Sequence, residues 1–366
     1  MRVIHVETGR HLYGGPRQVL LLSDGLAQRG HDNILVCPTG SAVGRAASSS
    51  IEVIEWPMRG DLDLSLAWRL RRLVRARRPD IVHLHSRRGA DWVGVLGLVG
   101  TTAPVVLSRR VAFPERAAIA RLRYNMVDAV IGISARIAEQ LREIGVADEK
   151  RFCVRSAVPP MQFGERDRDW LAAEFGIQHG EVVIGIVAQL IEAKCHRHLF
   201  EAVAQLRDDY PQLRILVLGR GALRPALESQ VADLGLADAV VFAGFRDDLE
   251  NILPNLDLLV HPAPNEGLGI SVLQAAVAGV PIIAANAGGL PEIVEDERSG
   301  LLFPVGDTAA IASAIARLVD DPALAQRLGQ AAAAHVQEQF SVDQMVAGNL
   351  AVYRRLAGCG DDRLPA

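Results

Sequence analysis

The chain has 366 residues, of which 49% are hydrophobic and 22% are charged, and its formal net charge at pH 7 is −4. This length allows two domains, the composition is that of a soluble globular protein, and the small negative charge gives no basis for nucleic-acid binding. The N-terminus begins directly with an apolar strand pattern, and the most apolar run, residues 92–107, is interrupted by Gly, Thr and Pro. The cysteines are scattered without a C-x-x-C pair, as in reduced cytosolic proteins: Cys37, Cys153, Cys195 and Cys359. We therefore expect a cytoplasmic protein without a signal peptide or a membrane span.

Two series of short apolar runs alternate with amphipathic segments, which indicates two parallel sheets with helices on both faces. The first series predicts strands at residues 3–6, 33–37, 53–55, 80–85, 105–108 and 129–133. The second predicts strands at residues 182–187, 214–218, 239–243, 257–260, 281–284 and 301–303, after a polar linker at 165–169. The sequence thus predicts an α/β protein with two Rossmann-like domains, residues 1–163 and 164–341, and ligands bound at the carboxyl ends of the strands in a cleft between them.

One stretch, residues 257–279, combines a strand, a glycine-rich turn and a helix. The apolar strand is followed by His261-Pro262-Ala263-Pro264-Asn265-Glu266-Gly267-Leu268-Gly269, and helix-compatible residues then continue until Gly279. This order aims the free N–H groups of a helix at an anion, and the glycines allow the backbone to approach it closely. The carboxylate of Glu266 is suited to accept hydrogen bonds from the hydroxyl groups of a ligand such as a sugar. Gln274 is expected about two helical turns beyond Glu266, roughly 12 Å along the helix axis, and on a similar face of the helix. A phosphate pocket flanked by two such groups indicates a nucleotide sugar.

The same stretch resembles the donor-site motif of family-4 glycosyltransferases, which have a GT-B fold of two Rossmann-like domains facing each other across a cleft. The family usually has Glu where this chain has Glu266 and Gln274. The segments Gly288-Gly289-Leu290-Pro291-Glu292 and Ser299-Gly300-Leu301-Leu302-Phe303 continue the match. The resemblance implies retaining transfer, without metal or cofactor, from a nucleotide-diphosphate sugar, preferably a UDP-sugar. The implied acceptor is a glycan or glycolipid of lipopolysaccharide or other surface polysaccharide synthesis. It also implies that a C-terminal helix, residues 342–357, packs back on the first domain.

The resemblance further implies roles for residues of the second domain. Glu266 would hold sugar hydroxyls, Gln274 the ribose, and Lys194 would neutralise the leaving phosphate. The backbone amides that would bind the diphosphate are those of Gly267, Leu268, Gly269 and Ile270. The family usually has an Arg near Gln189, and Gln189 offers only neutral hydrogen bonds. Gly219 and Arg220 would lie near the nucleotide and Phe245 near the base.

In the first domain, Gly14 and Gly15 open a helix after the first strand, and the resemblance implies that they lie against the diphosphate. His83 and His85 end the fourth strand with their side chains on the same face. A histidine at a strand end is usually structural, but the resemblance implies that His85 contacts the transferred sugar. No general base is required, because the leaving phosphate itself would receive the acceptor's proton. The predicted catalytic residues are therefore Glu266, His85 and Lys194.

Arginines that follow strands of the first domain indicate the charge of the acceptor. Arg87, Arg88, Arg109 and Arg110 are predicted to ring the acceptor side, where guanidinium groups bind phosphates and carboxylates. They are either a solvated rim or a site for an anionic acceptor, such as a phosphorylated or Kdo-bearing lipopolysaccharide core. Residues 66–78 form a basic amphipathic helix with Trp68. It is either a packed surface helix or an interfacial helix that associates with the cytoplasmic face of the inner membrane.

Other classes of protein fit the sequence less well. Cys195, His196 and His198 match no common zinc spacing, so we predict no metal site. Gly9 to Gly15 is not a G-x-G-x-x-G pattern, which disfavours a dehydrogenase. Two alternatives stay open: a nucleotide-sugar epimerase or hydrolase of GT-B shape, and a catalytically silent nucleotide-sugar-binding subunit of a membrane glycan assembly. Gln189 and Gln274 favour the silent subunit. The sequence does not determine the base, sugar, linkage, acceptor or oligomeric state.

Overall fold

The computed structural model describes residues 1–60, 63–85, 90–113, 115–159 and 161–358. The described residues divide into two compact units, one formed by residues 1–159 with residues 340–358, and one by residues 161–339. Each unit contains one parallel sheet with helices, so the predicted α/β class with two Rossmann-like domains is confirmed.

The first unit has a seven-stranded parallel sheet with strand order β3-β2-β1-β4-β5-β6-β7. Its strands are β1 (Arg2–Val6), β2 (Asp32–Pro38), β3 (Glu52–Trp56), β4 (Ile81–Leu84), β5 (Val105–Arg109), β6 (Ala129–Gly132) and β7 (Arg151–Cys153). Most are short runs of Val, Ile and Leu, as expected when both faces of a parallel sheet are covered. The prediction missed β7, because it has three residues and only Phe152 among them is buried.

Helices cover both faces of this sheet. They are α1 (Gly14–Ala27), α2 (Ala42–Ala46), α3 (Leu64–Arg77), α4 (Trp92–Leu98), α5 (Ala117–Asn125) and α6 (Ala135–Ile144). Leu66, Leu70 and Val74 of α3, spaced four residues apart, form a core with Ile4 and Val6 of β1. Residues of α4, α5 and α6 belong to the same core, so α3 to α6 lie side by side on one face, as right-handed crossovers require.

The second unit has a six-stranded parallel sheet with order β10-β9-β8-β11-β12-β13. Its strands are β8 (Val182–Val187), β9 (Leu213–Leu218), β10 (Val240–Gly244), β11 (Leu258–His261), β12 (Ile282–Ala285) and β13 (Leu301–Phe303). Its helices are α7 (Arg168–Phe175), α8 (His196–Leu206), α9 (Arg224–Asp233), α10 (Leu249–Ile252), α11 (Ile270–Val277), α12 (Thr308–Asp320) and α13 (Pro322–Gln339). The linker predicted at 165–169 is wrong at its end, because Asp167 accepts a hydrogen bond from the Trp170 N–H and caps a helix there.

The last helix, α14 (Val342–Leu356), packs within the first unit. Its buried residues Met345, Val346 and Tyr353 share a core with Leu22 and Leu26 of α1. The two helices approach closely, since a Cβ at Gly25 of α1 would lie 2.5 Å from a Val346 methyl carbon. This core covers the sheet face opposite to α3.

The two sheets have the same topological switch. In the first unit β1 lies between β2 and β4, and in the second β8 lies between β9 and β11. At such a point the chain leaves neighbouring strands in opposite directions, and this opens a crevice at their carboxyl ends. A ligand site is therefore expected at the segments that follow β1, β4, β8 and β11. No helix in the described ranges has the length and apolar character needed to cross a membrane.

Candidate functional site

The glycine-rich turn of the second unit connects β11 to α11. Gly269 precedes the helix with φ +103°, a left-handed conformation that favours glycine. Glu266 lies in the turn, before the helix begins at Ile270. The predicted separation of two helical turns between Glu266 and Gln274 is therefore wrong. Gln274 is half-buried and lies little more than one turn into α11.

A second glycine pair holds this turn in place. The N–H of Gly289 donates a hydrogen bond to the Glu266 carbonyl at 2.9 Å. A Cβ at Gly288, which has φ +61°, would lie 2.4 Å from the same oxygen, and a Cβ at Gly289 would lie 2.5 Å from the Gly267 carbonyl oxygen. Only glycines allow this approach, so the segment after β12 supports the segment after β11.

The Glu266 carboxylate is bound by two side chains. The Lys194 ammonium and the His261 Nε2–H, at 2.9 Å, both donate to Oε2. Burial raises the pKa of Glu266, but the His261 hydrogen bond and the Lys194 charge outweigh it and bring the pKa to about 2. Glu266 is therefore an anion at neutral pH. Because both contacts use Oε2, Oε1 is the oxygen available to the hydroxyl group of a ligand.

Lys194 ends a short 3-10 turn, Glu192–Lys194, between β8 and α8. Cys195 follows with φ +50°, which is unusual for a residue with a side chain. His196 then begins α8, and burial, together with the charge of Lys194, lowers its pKa to about 4. The prediction gave His261 no role. Its position at the end of β11, five residues before Glu266, was the signal available for finding it.

The predicted nucleotide-side residues gather at the carboxyl ends of β8, β9 and β10. A Cβ at Gly219 would lie 1.8 Å from the Ala188 carbonyl oxygen, so the segments after β8 and β9 are in close backbone contact. Gln189 lies at this contact, next to Ala188. The Arg220 guanidinium lies over the Phe245 ring, 5.0 Å from its centroid, and this ring is 50% exposed. An exposed aromatic ring beside a cation offers a stacking surface for a base.

The first unit has a cavity of about 570 Å³ at the carboxyl ends of β1, β4 and β5. Among its described lining residues are Gly15, His85, Arg109 and Arg110, all predicted for the site, together with Glu7. Gly14 is the first residue of α1. The predicted acceptor residues Arg87 and Arg88 lie outside the described residues.

Three buried histidines lie beside this cavity. β1 pairs with β4 so that His5 is opposite His83, and His85 follows the end of β4. His5 Nδ1 lies 2.9 Å from His85 Nε2, and His5 Nε2 lies 3.1 Å from Asn33 Oδ1. His83 lies between Tyr353 Oη, at 2.5 Å, and Ser108 Oγ, at 2.7 Å. The prediction included neither His5 nor Asn33. A histidine on the central strand, beside the two on β4, was the available signal.

Burial keeps the three rings neutral. It lowers the pKa of His5 to about 4 and the pKa values of His83 and His85 well below the usual 6.5. Their ligand atoms lie within 4.8 Å of one another, close enough to bind a metal ion. However, all six ring nitrogens have hydrogen-bond partners, the last of which is Arg110 Nη2, 3.2 Å from His85 Nδ1. The cluster is thus satisfied as a hydrogen-bond network.

Arg109 does not belong to a solvated rim. It is the last residue of β5, is 4% exposed, and donates to Glu115 at 2.9 Å and to the Phe113 carbonyl at 2.9 Å. Glu115 also accepts from Arg123 and Tyr124. Arg109 therefore stabilises the cavity wall through an ion-pair network, an arrangement that its position after a strand did not reveal.

The side chain of Arg110 is directed to the histidine cluster. Its Nη2 donates to His85 and its Nη1 to Ser156 Oγ at 3.5 Å, while its Nε is buried without a hydrogen-bond partner in the described part of the chain. Burial lowers the pKa of Arg110 to about 10, so the group remains a cation at neutral pH. Arg110 can therefore offer a donor to an anion in the cavity.

Comparison with known proteins shows the family and the fold of this chain. Residues 13–160 match the family model "Glycosyltransferase Family 4" and residues 167–335 match "Glycosyl transferases group 1". The chain is 32% identical to a 2-deoxystreptamine glucosyltransferase of Streptomyces kanamyceticus, over 82% of this chain and 85% of that protein. It is 25% identical to the lipopolysaccharide core biosynthesis glycosyltransferase LpsE of Rhizobium meliloti, over 93% and 95%. Anabaena HepE in complex with UDP-glucose has a similar fold, with a TM-score of 0.82 at 21% identity, over 96% and 100% of the chains.

Proposed function

The chain belongs to the family-4 glycosyltransferases and has their GT-B type of fold, and on this premise we propose that it transfers a sugar from a UDP-sugar to an anionic glycan or glycolipid. The transfer retains the configuration at the anomeric carbon and needs no metal ion. The observation that carries this proposal is the Glu266 carboxylate, which Lys194 and His261 hold as an anion before the N-terminus of α11.

The donor site supplies positive charge without a metal. The backbone N–H groups of Gly267 to Ile270 and the dipole of α11 would bind the diphosphate, and Lys194 would move from Glu266 toward it. As the bond between the anomeric carbon and the phosphate oxygen breaks, these groups stabilise the negative charge on the leaving UDP. The acceptor hydroxyl attacks on the same face and gives its proton to the leaving phosphate oxygen. Glu266 Oε1 would meanwhile accept a hydrogen bond from a sugar hydroxyl.

UDP is the nucleotide we propose, because HepE, which shares the fold, is described in complex with UDP-glucose. Gln274 would bond the ribose, since an amide both donates to and accepts from hydroxyls. Gln189 cannot neutralise phosphate charge, so Lys194 is the main cation of this donor site.

The first experiment measures donor binding and transfer with the purified protein. Melting temperatures are recorded with UDP, GDP, ADP and CMP and their sugars, with and without EDTA. A ligand at about 100 times its Kd adds roughly 2.7 kcal/mol of stability, which such a scan detects. We expect UDP to raise the melting temperature equally in EDTA. No shift with any nucleotide, or a shift abolished by EDTA, would contradict the proposal.

Glu266→Gln is the matched loss-of-function variant, and Glu228→Gln is its control, because Glu228 is paired with Arg224 on an exposed face of α9. With a UDP-sugar and a lipopolysaccharide core acceptor, Glu266→Gln should lower transfer by about 100-fold or more, as expected for a charged group that binds the reacting sugar. Transfer that is unaffected by this change would show that Glu266 does not act in the reaction. Binding of UDP without any transfer by the wild-type protein would favour the silent-subunit alternative. Release of the free sugar without an acceptor product would favour a hydrolase.

We propose an anionic acceptor because Arg110 remains charged beside the cavity and LpsE, a relative, is named for lipopolysaccharide core biosynthesis. The name of the other relative, 2-deoxystreptamine glucosyltransferase, indicates an amine-bearing acceptor instead. A transfer assay in which the two acceptors compete decides between an anionic and an amine-bearing acceptor. Faster transfer to 2-deoxystreptamine than to phosphorylated core oligosaccharide would overturn the anionic assignment.

Membrane association is the second part of the proposal, with the protein at the cytoplasmic face. Nine large apolar side chains are exposed in the described residues, and seven of these lie between residues 64 and 122: Leu64, Trp68, Leu96, Val99, Phe113, Ile119 and Leu122. Six of the seven lie on or directly beside α3, α4 and α5, which are neighbours on one face. Exposed arginines on the same elements, with no acidic residue within α3 or α5, would attract anionic lipid. Flotation with anionic and neutral vesicles tests this, and the double variant Trp68→Ser, Leu122→Ser should lose binding to anionic vesicles.

A further inference from the structure

A chain of hydrogen bonds with one direction runs through the histidine cluster. It begins at Arg110, whose guanidinium has only donors, so Arg110 Nη2–H donates and His85 Nδ1 accepts. A neutral His85 that accepts at Nδ1 carries its proton on Nε2, and this N–H donates to His5 Nδ1. By the same rule His5 donates from Nε2 to Asn33 Oδ1. The Asn33 amide nitrogen then donates to the His31 carbonyl at 2.9 Å, which fixes the orientation of the amide.

The direction matters because it determines what His85 presents to the cavity. Arg110, the partner of His85 Nδ1, lines the cavity, and His5, the partner of Nε2, does not. Nδ1 is therefore the nitrogen on the cavity side, and it carries a lone pair. If the tautomer were reversed, a proton on Nδ1 would oppose the Arg110 donor, and His85 Nε2 and His5 would lose their hydrogen bond.

We propose that Arg110, His5 and Asn33 hold His85 in its Nε2–H tautomer, so that the cavity presents a fixed hydrogen-bond acceptor, at Nδ1, to a hydroxyl of the substrate. His5 and Asn33 are positioning residues, because they act on His85 and do not line the cavity. When an anionic group draws Arg110 away, His85 Nδ1 is free to accept from a hydroxyl beside that group. The inference rests on the proposed function for its substrate, a sugar-bearing anion, but its tautomer is measurable without any substrate.

A metal centre is the competing interpretation of three histidines this close. A bound ion would have to replace at least the His5–His85 hydrogen bond, and it would lie near the Arg110 cation. The hydrogen-bond chain instead satisfies every nitrogen of His5 and His85. The two interpretations differ in a simple way: metal ligation by His5 Nδ1 and His85 Nε2 would remove the proton from His85 Nε2.

The direct test is a long-range ¹H–¹⁵N spectrum of ¹⁵N-histidine-labelled protein near neutral pH, with assignment by His85→Gln and His5→Gln. We expect His85 and His5 both as Nε2–H tautomers and unchanged by EDTA. A His85 with its proton on Nδ1, or tautomers that average between the two forms, would overturn the proposal. A His85 signal that changes when zinc is removed would establish the metal interpretation in its place. None of these results depends on transfer activity.

Variants separate positioning from general stability. Asn33→Leu removes the oxygen that accepts the hydrogen bond from His5 Nε2. His5 should then populate both tautomers, and His85, which is hydrogen-bonded to His5, should also populate both. If the fixed tautomer contributes as much to the transition state as one ordinary hydrogen bond, kcat of Asn33→Leu should fall by roughly tenfold. Asn33→Asp keeps an acceptor oxygen and should keep the Nε2–H tautomer of His85. His335→Gln, in the other unit, is the control for loss of a partly buried histidine. An Asn33→Leu protein with reduced activity and an unchanged His85 tautomer would refute the positioning role. If the tautomers are as expected and no transfer is found, the proposed function fails and the hydrogen-bond chain stands.

Discussion

His261 Nε2 lies 2.9 Å from Oε2 of Glu266, so a buried imidazole at the end of β11 holds the carboxylate that follows it by five residues. The side chain of His261 is 2% exposed, and its Nδ1 is buried without a hydrogen-bond partner in the described residues. The ring therefore has its proton on Nε2 to serve Glu266. The sheet fixes the position of His261 at the end of β11. From this position, His261 stabilises the negative charge of Glu266.

Replacing His261 with Leu should change the pH dependence of transfer. The folded-state pKa of Glu266 is depressed from 4.5 to about 2, so the anion is present throughout the working range. Without His261, burial still raises the pKa while only Lys194 opposes it, so the pKa rises. Glu266 then becomes protonated at higher pH, and kcat/KM should fall on its acid side at higher pH than in the wild type. His261→Gln retains an N–H donor and should keep the wild-type profile. Identical acid limbs for wild type and His261→Leu would contradict this role.

Gly288→Ala should damage the donor site as well as stability. Its φ of +61° is unfavourable for alanine, and the added Cβ would also lie 2.4 Å from the Glu266 carbonyl oxygen. Gly235→Ala is the matched control, since Gly235 has φ +69° with open space around it. Left-handed strain should cost each variant about 1–2 kcal/mol of unfolding free energy. Gly288→Ala should lose more than Gly235→Ala and should bind UDP more weakly in titration calorimetry. Equal losses with unchanged UDP affinity would mean that the turn adapts.

Cys195→Gly should stabilise the protein. Cys195 has φ +50°, and glycine adopts this conformation without the steric cost that a Cβ incurs. Relief of about 1–2 kcal/mol of strain is partly offset by the extra freedom of glycine in the unfolded chain, so a net gain of roughly 0.5–1 kcal/mol is expected. Urea denaturation measures it, with Cys153→Gly as the control at an exposed strand residue, where glycine should not stabilise. A loss of stability in Cys195→Gly would show that the sulfhydryl group, which contacts the Glu192 carbonyl, contributes more than the strain costs.

Glu115→Gln should be strongly destabilising. Glu115 accepts from Arg109, Arg123 and Tyr124, and its removal as an anion leaves two buried arginines with reduced compensation. Breaking a buried ion pair costs roughly 3 kcal/mol or more. The arginines and the Tyr124 hydrogen bond overcome burial and lower the pKa of Glu115 below 4.5, so its contribution is full above that pH and is lost as the pH falls below it. Thermal unfolding near neutral pH and near pH 3 should therefore show a larger difference between variant and wild type at neutral pH. Glu139→Gln, at an exposed pair with Arg142, should change little.

Local patterns in the sequence were sufficient for the elements and for the turn that carries Glu266. Short apolar runs predicted twelve of the thirteen strands found in the described residues, and the missing one, β7, is too short for a pattern. One turn of the chain contains Glu266, Gly267 and Gly269. Its geometry depends on neighbouring residues, so the local sequence is enough to predict it. Gln274 was misplaced because the helix begins only at Ile270, and a sequence does not fix the first residue of a helix.

The sequence by itself determined that parallel strands with helical connections form two Rossmann-like units, and that a glycine-rich turn carries a carboxylate before a helix. Only the tertiary structure decided which polar side chains form the hydrogen-bond chain beside the cavity of the first unit. His5, Asn33 and His85 are up to 80 residues apart in the chain, and they meet because β1, β2 and β4 are neighbours in the sheet. Arg109 and Arg110 are adjacent in sequence, yet one is held in an ion-pair network and the other contacts His85. The reason is that successive side chains at a strand end point to opposite faces, and each face has its own partners.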